Sequence, residues 1–217
     1  MNIIIFDMDG TLIDSAKAIT ININDMRKKV GLEPNLEQDH IVRVINDPDA
    51  NYLEEFYPGI TVTKVMMDEF EVEFKKNYDL HARAYSGVKE LLKSLKEKGF
   101  YIALASNAPQ SSLEAVLIRN DIRPYFDYII GYIADEIPKK PDPKMLLKVL
   151  EDAQSEQKDN IKAIFIGDSH KDMLASKNAN IPYLQVTWGF GSDIEGEKNV
   201  SNTKEAYNYI LNYFYHN

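Results

Sequence analysis

The chain has 217 residues, of which 44% are hydrophobic and 27% charged, and its formal net charge is -9. This composition indicates a globular protein with a sizeable buried core, and the acidic balance excludes nucleic acid and anionic membrane surfaces as expected partners, because both attract basic patches. Cysteine is absent, which excludes disulfides, thiolate catalysis and cysteine-ligated zinc. The start MNIIIF lacks the basic region of a signal peptide, and no apolar run approaches the roughly 20 residues that cross a bilayer, so a cytoplasmic location is expected.

Short runs rich in Ile, Val, Leu and aromatic residues recur along the chain, with helical patterns between them. We predict strands at residues 2–6, 101–105, 128–132, 163–166 and 183–186. Nearly continuous apolar strands that alternate with helices are typical of a parallel sheet covered by helices on both faces. The predicted fold class is α/β, with a Rossmann-like parallel sheet as its core.

Residues 16–82 interrupt this alternation, because they show helical periodicity but no strand-like run. Four helices are expected there, two of them short and near residues 36–45 and 49–56, with the helix-breaking Pro48 between them. The sequence therefore predicts two domains. They are an α/β core of residues 1–15 and 83–217 and an inserted small helical domain of residues 16–82.

Acidic residues stand where two of the predicted strands end. Asp7 and Asp9 follow the first strand, Asp168 follows the fourth, and Asp172 comes one helical turn later. Ligands of open parallel sheets bind beyond the carboxyl ends of the strands, and a divalent cation lowers the cost of clustered carboxylates. We expect a metal site at this edge. A helix N-cap and a solvated charge are the alternative interpretation of Asp168 and Asp172.

The first two acids also suggest covalent chemistry. A carboxylate such as Asp7, held in line with a phosphorus atom, can attack it and form an aspartyl-phosphate. Residues i and i+2 of an extended strand face the same way, so Asp9 would lie beside Asp7. Asp9 could then protonate the leaving oxygen and later deprotonate a water molecule.

Two further positions are suited to binding a phosphate. Ser106 follows the second strand and precedes a predicted helix, whose free N–H groups could form an anion cradle with the hydroxyl. Lys140 stands just ahead of a helix for which Asp142 and Pro143 are the expected N-cap and first residue. The alternatives are a simple N-cap at Ser106 and a solvated lysine at position 140.

Four motifs occur in order along essentially the whole chain. They are D-x-D-G-T-L-x-D-S at 7–15, S-N at 106–107, K-P at 140–141 and G-D-S-x-x-D at 167–172. This set resembles the haloacid dehalogenase superfamily. The helical insert is similar to the small cap of its phosphoglycolate phosphatase and β-phosphoglucomutase subfamily, and VTWGFG at 186–191 is similar to the segment that follows the last motif in phosphoglycolate phosphatases.

The resemblance implies a catalytic role for four residues. Asp7 would be the nucleophile and Asp9 the general acid and base. Ser106 and Lys140 would bind the phosphate. The departures from the family pattern are minor: Ser86 stands where proline is usual before a glycine, and Asn180 stands where glycine is usual after the last motif.

The resemblance also implies a magnesium site and a substrate site. The metal would be bound by the side chains of Asp7 and Asp168 and the backbone carbonyl of Asp9, with Asp172 supporting them. The substrate-binding residues that it implies are Gly10 and Thr11, through backbone donors, and Asn107 beside the phosphate.

The motif residues favour hydrolysis of a phosphate ester. Asp9 argues against a dehalogenase, whose leaving halide needs no proton, and against a phosphonate hydrolase, which lacks the acid pair. Sugar phosphomutases of this subfamily often carry D-G-V-I where this chain has Asp9-Gly10-Thr11-Leu12, so a mutase is the alternative. A catalytically idle binding protein on this scaffold is less favoured, because the chain retains every acid. The expected function is a magnesium-dependent phosphatase for a small, phosphoglycolate-like phosphomonoester, and the oligomeric state stays open.

Substrate choice is expected to lie in the helical insert. Arg43 and the adjoining loop 45–50 stand where related enzymes place their specificity loop, and an arginine there could bind a carboxylate or a second phosphate through two parallel hydrogen bonds. A solvated helical arginine is the alternative. Closure of the insert over the core would use hinges near residues 14–15 and 80–85.

Overall fold

The computed structural model describes residues 1–47, 49–156 and 161–216, so Pro48 lies outside the described residues. The strands are β1 (Asn2–Phe6), β2 (Ile13–Asp14), β3 (Arg83–Ala84), β4 (Tyr101–Pro109), β5 (Tyr128–Tyr132), β6 (Lys162–Gly167), β7 (Tyr183–Val186) and β8 (Lys198–Val200). The helices are α1 (Ala16–Lys29), α2 (Gln38–Asn46), α3 (Tyr52–Phe56), α4 (Lys64–His81), α5 (Val88–Glu97), α6 (Gln110–Arg119), α7 (Lys144–Glu156), α8 (His170–Asn178) and α9 (Thr203–Tyr215).

Six strands form one parallel sheet in the order β5-β4-β1-β6-β7-β8. The first strand lies in the middle of it, with Ile3 level with Tyr101 of β4 on one side and Ala163 of β6 on the other. The α/β fold class predicted from the sequence is confirmed, and all five predicted strands are present. The sixth, β8, was not predicted, since its three residues are too short to show a pattern.

The residues of β1 alternate between two buried layers. Ile4 and Phe6 join a core cluster with α5, α6 and α9, whereas Ile3 and Ile5 join another with α7 and α8. All four side chains are fully buried, and each such burial contributes about 1.5–3 kcal/mol. An apolar strand covered on both faces fixes its carboxyl end firmly, which positions Asp7 directly after it.

The helices α1 to α4, residues Ala16–His81, form what we call the helical insert. The chain enters the insert after β2 and leaves it before β3, and these two short strands pair antiparallel with Ile13 opposite Ala84. Sequence periodicity could not predict this pair, because two residues show no period. The pair lies where the sequence analysis expects the hinges.

Helix α8 ends at a residue in the left-handed conformation. Asn180 has a φ of +56°, and its N–H donates to the carbonyl of Lys177 at 3.1 Å. The next N–H, of Ile181, donates to the carbonyl of Ser176 at 2.9 Å, so the helix closes with two backbone bonds. Asparagine thus replaces the usual glycine because it tolerates a positive φ.

We predict that Asn180→Val lowers the free energy of unfolding by about 1–2 kcal/mol, because a β-branched residue is strained at this φ, while Asn180→Gly leaves it unchanged or raises it. The side chain is exposed, so packing contributes little to either value. Urea denaturation of the two variants and the wild type measures the difference. Equal stability of the valine and glycine variants would contradict the assignment of strain.

Candidate active site

The loop after β1 turns sharply at the carboxyl edge of the sheet. The N–H of Asp7 still donates to the carbonyl of Ile166 at 2.9 Å, but Leu12 and Ile13 both donate to the carbonyl of Met8 at 2.9 Å, which folds the chain back. The expectation that strand geometry aligns Asp7 with Asp9 is therefore wrong, because β1 ends before either residue.

Gly10 stands at the tightest point of this loop, with a φ of +83°. A Cβ atom on it would overlap the carboxylate of Asp168 and crowd the ring of Phe190. Glycine is needed here both for the backbone conformation and for the close approach of the loop to Asp168.

Three carboxylates from separate elements meet at this edge. Ligand oxygens of Asp7, Asp168 and Asp172 all lie within 4.8 Å of one another. Asp7 follows β1, Asp168 follows β6, and Asp172 lies in the first turn of α8; their exposed fractions are 6%, 2% and 2%. The structure thus brings together the acids that the sequence analysis singled out, except for the side chain of Asp9.

The alternative interpretation of Asp168 and Asp172 as an N-cap and a solvated charge is wrong. The N-cap of α8 is Ser169, whose side chain accepts from the N–H of Asp172. In return, Oδ2 of Asp172 accepts from the backbone N–H of Ser169 at 3.2 Å and from its hydroxyl at 2.6 Å. Asp172 is therefore a buried, oriented group and does not face solvent.

Lys140 lies inside the carboxylate cluster. Its Nζ is 2.5 Å from Oδ1 of Asp7 and 2.6 Å from Oδ1 of Asp172, and it donates to the carbonyl of Ala105 at 2.9 Å. Only 3% of the residue is exposed. A solvated lysine is thereby excluded at position 140, whereas its neighbour Lys139 is exposed.

Asn107 holds the backbone of Lys140 in place. Its Oδ1 accepts from the N–H of Lys140 at 2.7 Å, and its Nδ2 donates to the carbonyl of Lys140 at 3.1 Å. Both ends of this amide are thus used within the protein. Sequence reasoning placed Asn107 beside a phosphate, but it could not show that the residue positions the lysine.

The electrostatics of the cluster are unfavourable for three ionised acids. Burial raises the pKa of Asp7 to about 7, with the charge of Asp172 adding to the rise and Lys140 opposing it. Burial, followed by Asp172 and Asp7, raises the pKa of Asp168 well above its ordinary value. Burial alone would lower the pKa of Lys140, but Asp172 and Asp7 outweigh that effect and raise it. One ammonium does not compensate three carboxylates.

One atom of the cluster indicates what would compensate them. Oδ1 of Asp168 accepts from the hydroxyl of Thr11 at 3.3 Å, but Oδ2 is buried and has no hydrogen-bond partner among the described residues. A buried carboxylate oxygen without a partner is costly. Hard divalent cations take oxygen ligands, so these acids fit an ion such as Mg²⁺, with Asp7 and Asp168 offering free oxygens and Asp172 engaged on both.

Asp9 lies apart from the cluster and has its own partners. Its Oδ1 accepts from the hydroxyl of Ser15 at 2.6 Å and from the hydroxyl of Tyr78 at 2.8 Å. Burial raises the pKa of Asp9, and the two hydroxyls oppose that rise. Sequence reasoning missed Tyr78, because a tyrosine in an amphipathic helix gives no signal of a site.

Ser106 is fully buried within β4, which continues past the predicted end at residue 105 to Pro109. Its Oγ accepts from the N–H of Ala108 at 3.1 Å, and the pairing of β4 with β5 shifts register just after it. Helix α6 begins only at Gln110, so Ser106 is not its N-cap. The interpretation of Ser106 as a simple N-cap is therefore wrong.

The segment 187–191 packs its backbone against the loop after β1 and against Asp168. A Cβ atom on Gly189 would overlap the carbonyl of Gly10, and one on Gly191 would overlap the carbonyl of Asp168. Trp188 donates from Nε1 to the carbonyl of Thr11 at 2.9 Å. This close fit explains the glycines of VTWGFG, whose role the sequence alone did not reveal.

A cavity of about 760 Å³ opens between α2 of the helical insert and these loops. Its lining includes Arg43 and Asn46 from α2, Asp168 and His170 from the β6–α8 junction, and Trp188. Arg43 is exposed, and its Nη2 lies 3.3 Å from Nδ1 of His40. The structure thus places Arg43 on the same cavity as Asp168, one of the three clustered acids.

A contact between Lys171 and the end of α2 joins the insert to the core beside this cavity. Lys171 of α8 donates from Nζ to the carbonyl of Ile45 at 2.6 Å and lies 4.4 Å above the ring of Tyr52. The hydroxyl of Tyr52 donates to the same carbonyl at 2.9 Å. The end of α2, where loop 45–50 begins, is therefore held against the core.

Curated relatives cover most of the chain. A phosphoglycolate phosphatase of Aquifex aeolicus is 33% identical over 199 residues, which cover 88% of this chain and 86% of the relative. Phosphoglycolate phosphatase 1 of Pseudomonas aeruginosa is 34% identical over 198 residues, 87% of this chain and 70% of the relative. In the described part of the chain, no helix combines the length and the apolar character needed to cross a membrane.

Solved structures share the fold over nearly the whole chain. The crystal structure of a predicted phosphatase from Clostridium acetobutylicum has a TM-score of 0.81 and 28% identity, and the match covers 97% of this chain and 98% of that one. The family model described as haloacid dehalogenase-like hydrolase matches residues 4–186, which include all four motifs. With its carboxylates, buried lysine and glycine loop arranged at the carboxyl edge of this sheet, the chain belongs to the haloacid dehalogenase-like hydrolase family.

Proposed function

We propose that this protein is a magnesium-dependent phosphatase that hydrolyses a small phosphomonoester through an aspartyl-phosphate on Asp7. The observation that carries the proposal is the buried contact of Asp7 with Lys140, set beside Asp168, a residue that has an unpartnered oxygen and also lines the cavity. Relatives named phosphoglycolate phosphatases support a phosphoglycolate-like substrate. In this proposal residues 1–15 and 83–217 form the core domain, and residues 16–82 form a cap domain over it.

In the first step, a carboxylate oxygen of Asp7 attacks phosphorus, and the bond to the ester oxygen breaks. Asp9 donates a proton to that leaving oxygen, so a neutral alcohol departs. The ammonium of Lys140 and the hydroxyl of Ser106 hold the phosphoryl oxygens, together with the backbone donors of Gly10 and Thr11. Asn107 acts indirectly: its amide fixes the backbone of Lys140, which in turn binds the phosphate.

In the second step, Asp9 takes a proton from water as that water attacks the phosphorus, and Asp7 is released with inorganic phosphate as product. Magnesium would be held by the side chains of Asp7 and Asp168 and the carbonyl of Asp9, with Asp172 behind them, and when bound it supplies positive charge to the phosphoryl oxygens. The cap shields the phosphorylated Asp7 from stray water.

The cytoplasmic location and the absence of a nucleic-acid partner stay predictions from the sequence. The small phosphorylated substrate is part of the present proposal.

We predict that Asp7→Asn lowers phosphate release from a generic aryl phosphate and from phosphoglycolate at least about 10³-fold, because an amide cannot replace the nucleophile. Acid quenching followed by mass spectrometry of peptides should find one phosphoryl group on Asp7 of the wild type and none in the variant. Asp142→Asn changes an exposed acid that lies two residues before α7; it is the matched control and should leave both readouts unchanged. Undiminished turnover in Asp7→Asn would exclude the mechanism, and conversion of sugar phosphate isomers without phosphate release would indicate the mutase.

We predict that Arg43→Ala raises the KM for phosphoglycolate about tenfold. The KM for a small aryl phosphate whose aryl group is uncharged should change by less than about twofold. The reason is that a guanidinium on the cavity wall can bind the carboxylate of the first substrate but finds no partner on the second. Lys28→Ala removes an exposed cation of α1 in the same insert that does not line the cavity, so it controls for loss of charge. Equal changes in KM for the two substrates would refute a specificity role for Arg43.

A further inference from the structure

Tyr78 is a buried residue of the helical insert that reaches the chemistry of the core. It lies in the last turn of α4, is 3% exposed, and its ring stacks on Phe74 with centroids 4.1 Å apart. Its hydroxyl donates to Oδ1 of Asp9 at 2.8 Å. The insert thus holds the ring, while the hydroxyl donates a hydrogen bond to a residue of the loop after β1.

The second donor to Asp9 is committed to the same oxygen. Ser15 occupies the N-cap position of α1, yet its side chain makes no capping hydrogen bond. Its hydroxyl donates instead to Oδ1 of Asp9 at 2.6 Å. Two hydroxyl donors on Oδ1 leave Oδ2 as the oxygen that carries a transferable proton, and they fix the direction in which Oδ2 points.

The two donors come from different sides of the junction between core and insert. Ser15 directly follows β2, whereas Tyr78 approaches from α4, which is tied to α1 through the Asn77 to Asn22 contact at 3.3 Å. The position of α4 therefore determines whether the second hydrogen bond to Asp9 forms. Asp9 is correctly held only when the insert lies where the structure has it.

We propose that Tyr78 is a positioning residue for proton transfer by Asp9, so that the helical insert completes the general acid of the core. The inference rests on the proposed function. As the ester P–O bond breaks, its electron pair goes to the leaving oxygen, and the proton on Oδ2 of Asp9 passes to that oxygen. Tyr78 keeps its own proton throughout and acts only by holding Oδ1.

The test uses two esters that differ in their need for an acid. The alcohol part of an alkyl phosphate such as phosphoglycolate is a poor leaving group unless it receives a proton. The 2,4-dinitrophenyl group of 2,4-dinitrophenyl phosphate leaves as a stable phenolate without one. Tyr78→Phe removes only the hydroxyl and keeps the ring stacked on Phe74. We expect kcat/KM to fall at least about tenfold for the alkyl ester and less than about threefold for the activated ester.

We use kcat/KM as the readout, because it reports the steps up to release of the alcohol and is independent of later hydrolysis of the phosphorylated enzyme. A purely structural role of Tyr78 would lower kcat/KM for both esters by the same factor. The proposal would be overturned if the loss for the alkyl ester exceeded the loss for the activated ester by less than threefold, or if kcat/KM did not fall for either ester. Ser15→Ala, which removes the other donor, should give the same selective loss without disturbing α4.

Two further variants separate this proposal from the proposed function. Tyr57→Phe removes a buried tyrosine hydroxyl in the insert that has no hydrogen-bond partner among the described residues, so both esters should react as in the wild type. Asp9→Asn should show the selective loss in its full size, about 10² or more for the alkyl ester. A selective loss in Asp9→Asn but not in Tyr78→Phe overturns only the role of Tyr78, whereas its absence in Asp9→Asn overturns the acid role of Asp9 itself.

Discussion

The contact of one buried ammonium with two buried carboxylates organises the site. Lys140 lies within 2.6 Å of both Asp7 and Asp172, and a third acid, Asp168, shares the same space. Such a group is stable only when its geometry is held rigidly and its charges are compensated. The sheet provides the rigidity, because β1 and β6 lie side by side at its centre and end at the same edge. The described residues leave part of the negative charge uncompensated, which is the physical reason to expect a cation.

Close backbone contacts around the cluster serve the same end. Gly10, Gly189 and Gly191 let three loops approach within distances that any side chain would block. Gln185 adds a bond from Nε2 to the carbonyl of Asp168 at 2.8 Å. The loops that carry the acids are thus held by packing and by hydrogen bonds to the backbone that do not depend on the charge of the carboxylates. Such preorganisation allows electrostatic stabilisation to act without reorganising the protein at each turnover.

Much of the fold and the core of the site could be predicted from the sequence. Apolar runs gave the five long strands, and acids placed at strand ends gave Asp7, Asp168 and Asp172, because the carboxyl ends of parallel strands meet at one edge. The expectation for Asp9 failed where it assumed that β1 continued past Phe6. Strands of two or three residues, such as β2, β3 and β8, carry no period and went unpredicted.

Long-range pairings were the other limit of the sequence. Asn107 with Lys140, Tyr78 with Asp9 and Lys171 with Ile45 join residues separated by 33, 69 and 126 positions. No local pattern marks such pairings, because the two partners lie far apart in the chain. The Tyr78 and Lys171 contacts join the insert to the core, so they are found only when the two are placed together. These two contacts make the insert part of the site.

Titration of the protein with Mg²⁺ by calorimetry near pH 7, in two buffers of different ionisation enthalpy, tests most directly whether the buried acids bind a cation. We expect binding with release of protons, because burial raises the pKa of Asp7 to about 7 and also raises that of Asp168, and a bound cation lowers both. Asp168→Asn should weaken binding at least about tenfold. Failure of the wild type to bind Mg²⁺, or equal affinity in Asp168→Asn, would contradict the claim that uncompensated buried carboxylates form a cation site.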